Sequence, residues 1–277
     1  MKIQTSSGML DLSYPHVMGI LNTTPDSFSD GGKYYDSTEK AMAHAESMIR
    51  AGASIIDVGG ESTRPGAADV SLEEELSRVV PVVKALKAKY KICVSVDTSK
   101  AGVMKQAVEA GADLINDVRA LQEPGAIDIA ADANIPVCLM HMRGNPKNMQ
   151  SNTSYDNIFD EVCIFLRERI EVCLQKGIRQ ENIILDPGFG FGKSLEHNYH
   201  LLANFEKFHE LGYPLLAGLS RKSMFYKYLN KAPEACTISS VVGASLAILK
   251  GAHIVRVHDV EQTVEAMKII QMIKCNQ

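Results

Sequence analysis

Several apolar runs in this chain end in side chains that could do chemistry together. Ile183-Ile184-Leu185 is closed by Asp186, and Pro187-Gly188-Phe189-Gly190-Phe191-Gly192-Lys193 follows. The proline and the alternating glycines forbid continuation as helix or strand, so a carboxylate stands at a strand end beneath a bare loop. The glycines would let that backbone pass close to flat rings, and the phenylalanines add apolar surface. Asp97, Asn116 and Met140 close three other runs, Ser220 and Lys222 follow a fourth, and Arg256 and His258 alternate at the end of a fifth. A carboxylate matches a paired N–H edge in the forked geometry it uses with guanidinium, so Asp97, Asn116 and Asp186 point to a nitrogen heterocycle. Lys222 would donate to a ring carbonyl or neutralise a carboxylate. Arg64, Arg256 and His258 suit phosphate or pyrophosphate. The chain after Ser220 would offer free N–H groups to a second anion.

Parallel strands joined by helices would bring such residues together. The apolar spacing predicts an opening hairpin over 2–14, then strands at 17–21, 55–58, 92–96, 114–115, 136–140, 183–186, 215–219 and 254–257. Helical spacing occupies 38–51, 71–89, 99–110, 124–133, 155–176, 197–211, 223–230, 237–250 and 261–274, with Ser71 and Glu74 spaced as a capping box. Eight strand and helix units in strict order define a (β/α)8 TIM barrel, read as one domain over 1–277, with the active site at the C-terminal ends of the strands. A repeated signature, Gly52 to Asp57, Gly111 to Asn116 and Gly251 to Arg256, gives each helix a glycine stop and each strand a polar residue five positions later. The glycine is explained by helix capping. The polar residue is not, because burying it costs free energy unless something satisfies it.

Composition excludes other classes. With 277 residues, 45% apolar content and a net charge of −4, the chain has no basic stripe for nucleic acid. No run approaches the roughly 18 apolar residues of a membrane span, and the N-terminus carries no signal pattern, so a cytoplasmic protein is expected. The six cysteines lack metal-ligand spacing and read as reduced thiols. Residues 187–194 nearly match a phosphate loop, but Pro187 stands at its first glycine and Asp186 would repel phosphate. Plainer roles compete for each residue: Asp186 as a cap on its own loop, Lys222 as a solvated lysine, His258 as a surface histidine, Phe28, Phe189 and Phe191 as packing. Asp57 stands open between touching a ligand and holding a residue that does.

Seven motifs in order resemble the bacterial dihydropteroate synthase family: Asn22-Thr23-Thr24-Pro25-Asp26-Ser27-Phe28-Ser29-Asp30-Gly31-Gly32, Gly60-Glu61-Ser62-Thr63-Arg64-Pro65-Gly66, Asp97-Thr98, Asn116-Asp117-Val118, Asp186 to Lys193, Ser220-Arg221-Lys222-Ser223 and Arg256-Val257-His258. The resemblance implies joining 6-hydroxymethyl-7,8-dihydropterin pyrophosphate to p-aminobenzoate in folate synthesis, with sulfonamides as competitors and no nucleic acid or membrane partner. It implies that Asp97, Asn116, Met140, Asp186, Lys222 and Arg256 hold the pterin. Asn22 would help bind Mg²⁺, and Thr63, Arg64, Arg256 and His258 would surround the pyrophosphate. Phe28, Thr63, Pro65, Phe191 and Ser220 would shape the p-aminobenzoate slot, and two copies would form a homodimer. A folate-dependent methyltransferase, a Schiff-base aldolase using Lys222 and a non-catalytic pterin-binding module are the rivals.

Overall fold

The computed structural model describes residues 1–24, 34–62, 69–144, 149 and 153–276, with the backbone alone for 34–37. Strands β1 (Lys2–Thr5) and β2 (Gly8–Asp11) pair antiparallel as the expected hairpin. The barrel strands are β3 (His16–Asn22), β4 (Ile55–Gly59), β5 (Cys93–Asp97), β6 (Leu114–Asp117), β7 (Val137–Met140), β8 (Ile183–Asp186), β9 (Leu216–Ala217) and β10 (Ile254–Val257). They form a parallel sheet in the order β8-β7-β6-β5-β4-β3-β10-β9, and a parallel bridge between Leu185 and Leu215 brings its two ends together. This is the expected TIM barrel. Around it lie α1 (Tyr34–Arg50), α2 (Leu72–Lys89), α3 (Ala101–Glu109), α4 (Ala126–Ala133), α5 (Ile158–Gln175), α6 (Leu195–Ala203), α7 (Ser223–Tyr226), α8 (Thr237–Leu249) and α9 (Val260–Cys275).

The interior is layered along the barrel axis. Each strand gives one residue to an apolar floor: Met18, Ile55, Cys93, Leu114, Cys138, Ile184, Leu216 and Ile254, plugged from below by Ile3 and Leu12 of the hairpin segment. Side chains two positions apart on a strand share a face, so the next layer up is Ile20, Asp57, Ser95, Asn116, Met140, Asp186, Gly218 and Arg256. Polarity therefore begins one layer above the floor. The repeated glycines adopt the left-handed backbone their role requires, with φ of 102° at Gly52, 106° at Gly111 and 93° at Gly251.

Local deviations from expectation have local causes. The helix expected over 197–211 is α6 followed by a separate 3-10 helix, Phe205–Leu211. Asn204 ends α6 by donating its amide to His200 O at 2.9 Å, and a three-residue turn then buries both Phe205 and Phe208 on one side. The strand expected over 215–219 shortens to Leu216–Ala217, and the helix over 223–230 to Ser223–Tyr226. Helix α4 starts at Ala126, after Gly125 with φ 78°. The capping box at Ser71 forms by half: its hydroxyl accepts Glu74 N–H at 3.1 Å, while the Glu74 carboxylate pairs with Arg78. A complete box instead starts α6, between Ser194 and His197.

Candidate active site

Strand register lifts the polar residues to a common height. Asp97 pairs with Asn116, Gly59 with Asp97, and Met140 with Asp186 across neighbouring strands. Arg256, reaching across the barrel, donates from Nε to Asp57 Oδ2 at 2.6 Å and from an Nη to Asp97 Oδ2 at 2.6 Å. Asn116 donates to the same Asp57 oxygen at 3.1 Å. Asp57 thus holds two residues of the set, the partner role of the two left open. Its other oxygen, Oδ1, and Ser95 Oγ are buried without a hydrogen-bond partner among the described residues.

On the opposite wall, Asp186 Oδ1 accepts Gly188 N–H at 2.7 Å. Lys222 places its ammonium group 4.1 Å from the centre of the Phe191 ring, a cation–π contact. Phe191 packs with Met140, Val118 and Met149, so the aromatic wall and the residue expected beneath a flat ring adjoin. Phe189, 1% exposed, stacks on Phe205 within the outer core and is ordinary packing. Gly218 leaves room beside Asp186, since an added Cβ would come 3.8 Å from Asp186 Oδ2.

Two of the loop glycines have a task besides the one expected. A Cβ on Gly188 would sit 1.9 Å from His141 O, and one on Gly192 2.8 Å from Arg143 O. These two let the loop press on the segment after β7, whereas a Cβ on Gly190 would lie 3.1 Å from Lys222 Cδ, on the side of the site. Lys193, whose place in the near-match to a phosphate loop would aim it at phosphate, turns inward and is 2% exposed. No role for this lysine is legible in the sequence beyond its being a cation at the end of a run of Gly and Phe.

Arg256 and His258 part ways. While Arg256 faces Asp57 and Asp97, His258 Nδ1 lies 3.0 Å from Ser220 Oγ, and its backbone N–H donates to that oxygen at 3.2 Å. The free N–H groups expected after Ser220 are partly taken, because Arg221 N–H donates to Ser240 Oγ at 2.9 Å. Asn22 ends β3 beside Gly59. Phe28, Thr63, Arg64 and Pro65 lie outside the described residues.

Burial tunes several of the charges here. It pushes the Asp97 carboxyl up to about 7, with Arg256 pulling the other way, and raises Asp186 against Gly188 N–H, Lys222 and Lys193. Burial and then Arg256 bring Lys222 down to about 8. The Arg256 guanidinium stays charged: burial disfavours its charge, but Asp57 and Asp97 outweigh it and raise its pKa. Raised carboxylates beside a depressed lysine mark a site that lacks part of its charge compensation.

Clustered carboxylates, an amide and two cations at the C-terminal mouth of a (β/α)8 barrel stand where enzymes of this fold place their active sites. Residues 18–258 match the family described as pterin binding enzyme. The dihydropteroate synthase of Escherichia coli (strain K12) is 55% identical over 271 residues, covering 98% of this chain and 96% of that protein. The structure of Yersinia pestis dihydropteroate synthase with a sulfonamide drug complex superposes with a TM-score of 0.95 at 53% identity, covering 99% of this chain and 100% of that one. Xanthomonas albilineans dihydropteroate synthase with 4-aminobenzoic acid gives 0.93 at 46% identity, covering 99% and 98%. The chain belongs to the pterin-binding enzyme family, among its dihydropteroate synthases, and is a transferase.

Proposed function

We propose that the chain condenses 6-hydroxymethyl-7,8-dihydropterin pyrophosphate with p-aminobenzoate, giving 7,8-dihydropteroate and pyrophosphate. The observation that carries this is the cluster of Asp97, Asn116, Asp186, Lys222 and Arg256 gathered above an apolar floor. The carboxylates take the amino-pyrimidinone edge, Lys222 donates to its carbonyl, and Met140 packs on its face. Arg256 is tethered through Nε to Asp57, leaving its other nitrogens to exchange Asp97 for the ring face and the pyrophosphate. His258 and, by family resemblance, Thr63 and Arg64 complete the anion site.

The residue types fit a dissociative substitution. Cations stabilise the departing pyrophosphate, and buried carboxylates stabilise the methylene cation on the electron-rich dihydropterin. An aniline-type amine is uncharged at neutral pH, so its attack needs no strong base, consistent with a site built without a nucleophile triad. Phe191, Ser220 and, again by resemblance, Phe28, Thr63 and Pro65 would seat the p-aminobenzoate, where sulfonamides would compete. Mg²⁺ takes few protein ligands and relies on substrate phosphates. The donors fit that use: among the described residues no cluster of acidic, His or Cys side chains could cage a metal, whereas Asn22 offers one amide oxygen at a strand end. When bound there, Mg²⁺ would neutralise charge on the leaving group.

The test is pyrophosphate release from purified protein with pterin pyrophosphate, p-aminobenzoate and Mg²⁺. Release that requires both organic substrates supports the reading; none would sink it. Borohydride trapping of a substrate on Lys222 would favour the aldolase instead.

Exposed surface supports a reading of the assembly. Helix α8 exposes Ile238, 79% accessible, with Val242, Leu246 and Leu249 along the same face, and α9 exposes Ile269, Met272 and Ile273. Two copies would cover this apolar face as a homodimer, and sedimentation giving a monomer mass at micromolar concentration would refute it. The six cysteines are unpaired and no helix among the described residues is long and apolar enough to cross a membrane, which supports a cytoplasmic site of action.

A further inference from the structure

Lys193 has a set of partners that the proposed chemistry does not use. Its ammonium group donates to Gly188 O at 2.7 Å and Phe191 O at 3.0 Å, and contacts His141 Nδ1 at 2.9 Å, with His141 O at 3.3 Å. An ammonium group has three N–H bonds, and the three shortest contacts use them all. Burial, with Lys193 and Arg143, holds the His141 pKa down to about 2, so its ring is neutral and accepts at Nδ1. Burial also brings Lys193 down to about 7, against the charge of Asp186, and these acceptors, none of them a carboxylate, hold its charged form.

Two of these acceptors belong to the glycine loop and two to the residue after β7. Gly188 gives its N–H to Asp186 and its carbonyl to Lys193. Phe191 gives its carbonyl to Lys193 while its ring meets Lys222 and Met140. A buried ammonium with no carboxylate bonded to it costs free energy, and an apolar chain of the same length would fill the space. What the cation adds is a fixed placement of Phe191, whose ring lines the site, and of Gly188, whose N–H holds Asp186.

We propose that Lys193 is a positioning residue, whose ammonium group staples the glycine loop to His141 and so sets where the Phe191 ring meets the substrates and where the Gly188 N–H meets Asp186. This rests on the two-substrate reading above. Phe191 is held through its own carbonyl, whereas Asp186 stays anchored on β8. The p-aminobenzoate slot should therefore suffer more than the pterin site when the staple is cut.

The experiment is steady-state kinetics for both substrates, with melting temperatures, on wild type, Lys193→Met and Lys193→Gln. Lys193→Met should raise KM for p-aminobenzoate at least about tenfold, the scale of a lost charge-assisted hydrogen bond, and KM for the pterin substrate by less. Lys193→Gln keeps two N–H donors and should recover part of the loss. A folded Lys193→Met with both KM values within about twofold of wild type, or with both raised equally, overturns the proposal, as does an effect confined to melting temperature. If Lys193→Met does not fold, the ratio of the two KM values in Lys193→Gln decides, and an unchanged ratio overturns it. Inactive wild type would overturn the two-substrate reading and this proposal together; active wild type with unchanged variants overturns the role of Lys193 alone.

Discussion

The two ends of the barrel bury the same residue type in opposite states. At the lower end, Asp113 stands just before β6 and receives Lys87 Nζ at 2.7 Å, Ser6 N–H at 2.8 Å and Val94 N–H at 2.9 Å, besides the Ser6 hydroxyl. Although burial opposes it, Lys87, Ser6 and Val94 hold its pKa below the ordinary carboxyl value. At the upper end, Asp186 accepts one hydrogen bond from Gly188 and its pKa is raised, while Asp57 keeps one oxygen without a partner among the described residues. A carboxylate that the fold has supplied with donors locks structure; here Asp113 ties the hairpin to the barrel. One left short of donors waits for those of a ligand.

Three substitutions can break or sharpen this contrast. The largest effect is expected for Arg256→Lys, which keeps the charge but loses the fork that spans Asp57 and Asp97: kcat should fall roughly 10²–10³-fold, and near-normal turnover would mean that a point charge suffices. Asp113→Asn comes next. It leaves the Lys87 ammonium group without a carboxylate and should cost about 3 kcal/mol of stability by denaturant titration, with both KM values unchanged. The sign of its pH dependence follows from the lowered pKa: the stabilisation is present above the ordinary carboxyl pKa and is lost as pH falls through the folded value. Wild type should therefore show this acid-side loss, and Asp113→Asn should lack it.

The smallest effect belongs to Lys222. Its pKa of about 8 makes it a cation below that pH and neutral above it, so pterin affinity should decline as pH rises through about 8. Lys222→Arg, which stays charged, should bind more weakly throughout but lose the alkaline decline. An identical decline in the variant would assign it to another group.

The sequence carried the architecture because it repeats. Each glycine stop, apolar run and polar closure announces one unit of the barrel, and the layer of Asp57, Asn116, Asp186 and Arg256 is legible once the strand period of two is applied. What stayed illegible depends on contacts between units. Nothing local to Lys193 says that its ammonium group meets His141, 52 residues away in the chain. Nor could local spacing show that Gly188 and Gly192 face the backbone of His141 and Arg143, or that Phe189 and Phe191, two residues apart in one loop, divide between core and site. The pairing of Arg256 with Asp57, 199 residues apart, was hidden for the same reason. Asp113 drew no expectation, although it is a second polar residue inside the Gly111 to Asn116 signature, just before the apolar pair of the strand.

The contrast between the two ends is tested most directly by measuring pterin affinity and melting temperature together on Asp186→Asn. Replacing an acceptor by a donor that faces the ligand's N–H groups should weaken pterin binding by roughly a hundredfold or more. Removing an undersupplied buried charge should leave the melting temperature unchanged or higher. A variant that binds the pterin as wild type does but melts well below it would contradict the account, and would make Asp186 a structural carboxylate like Asp113.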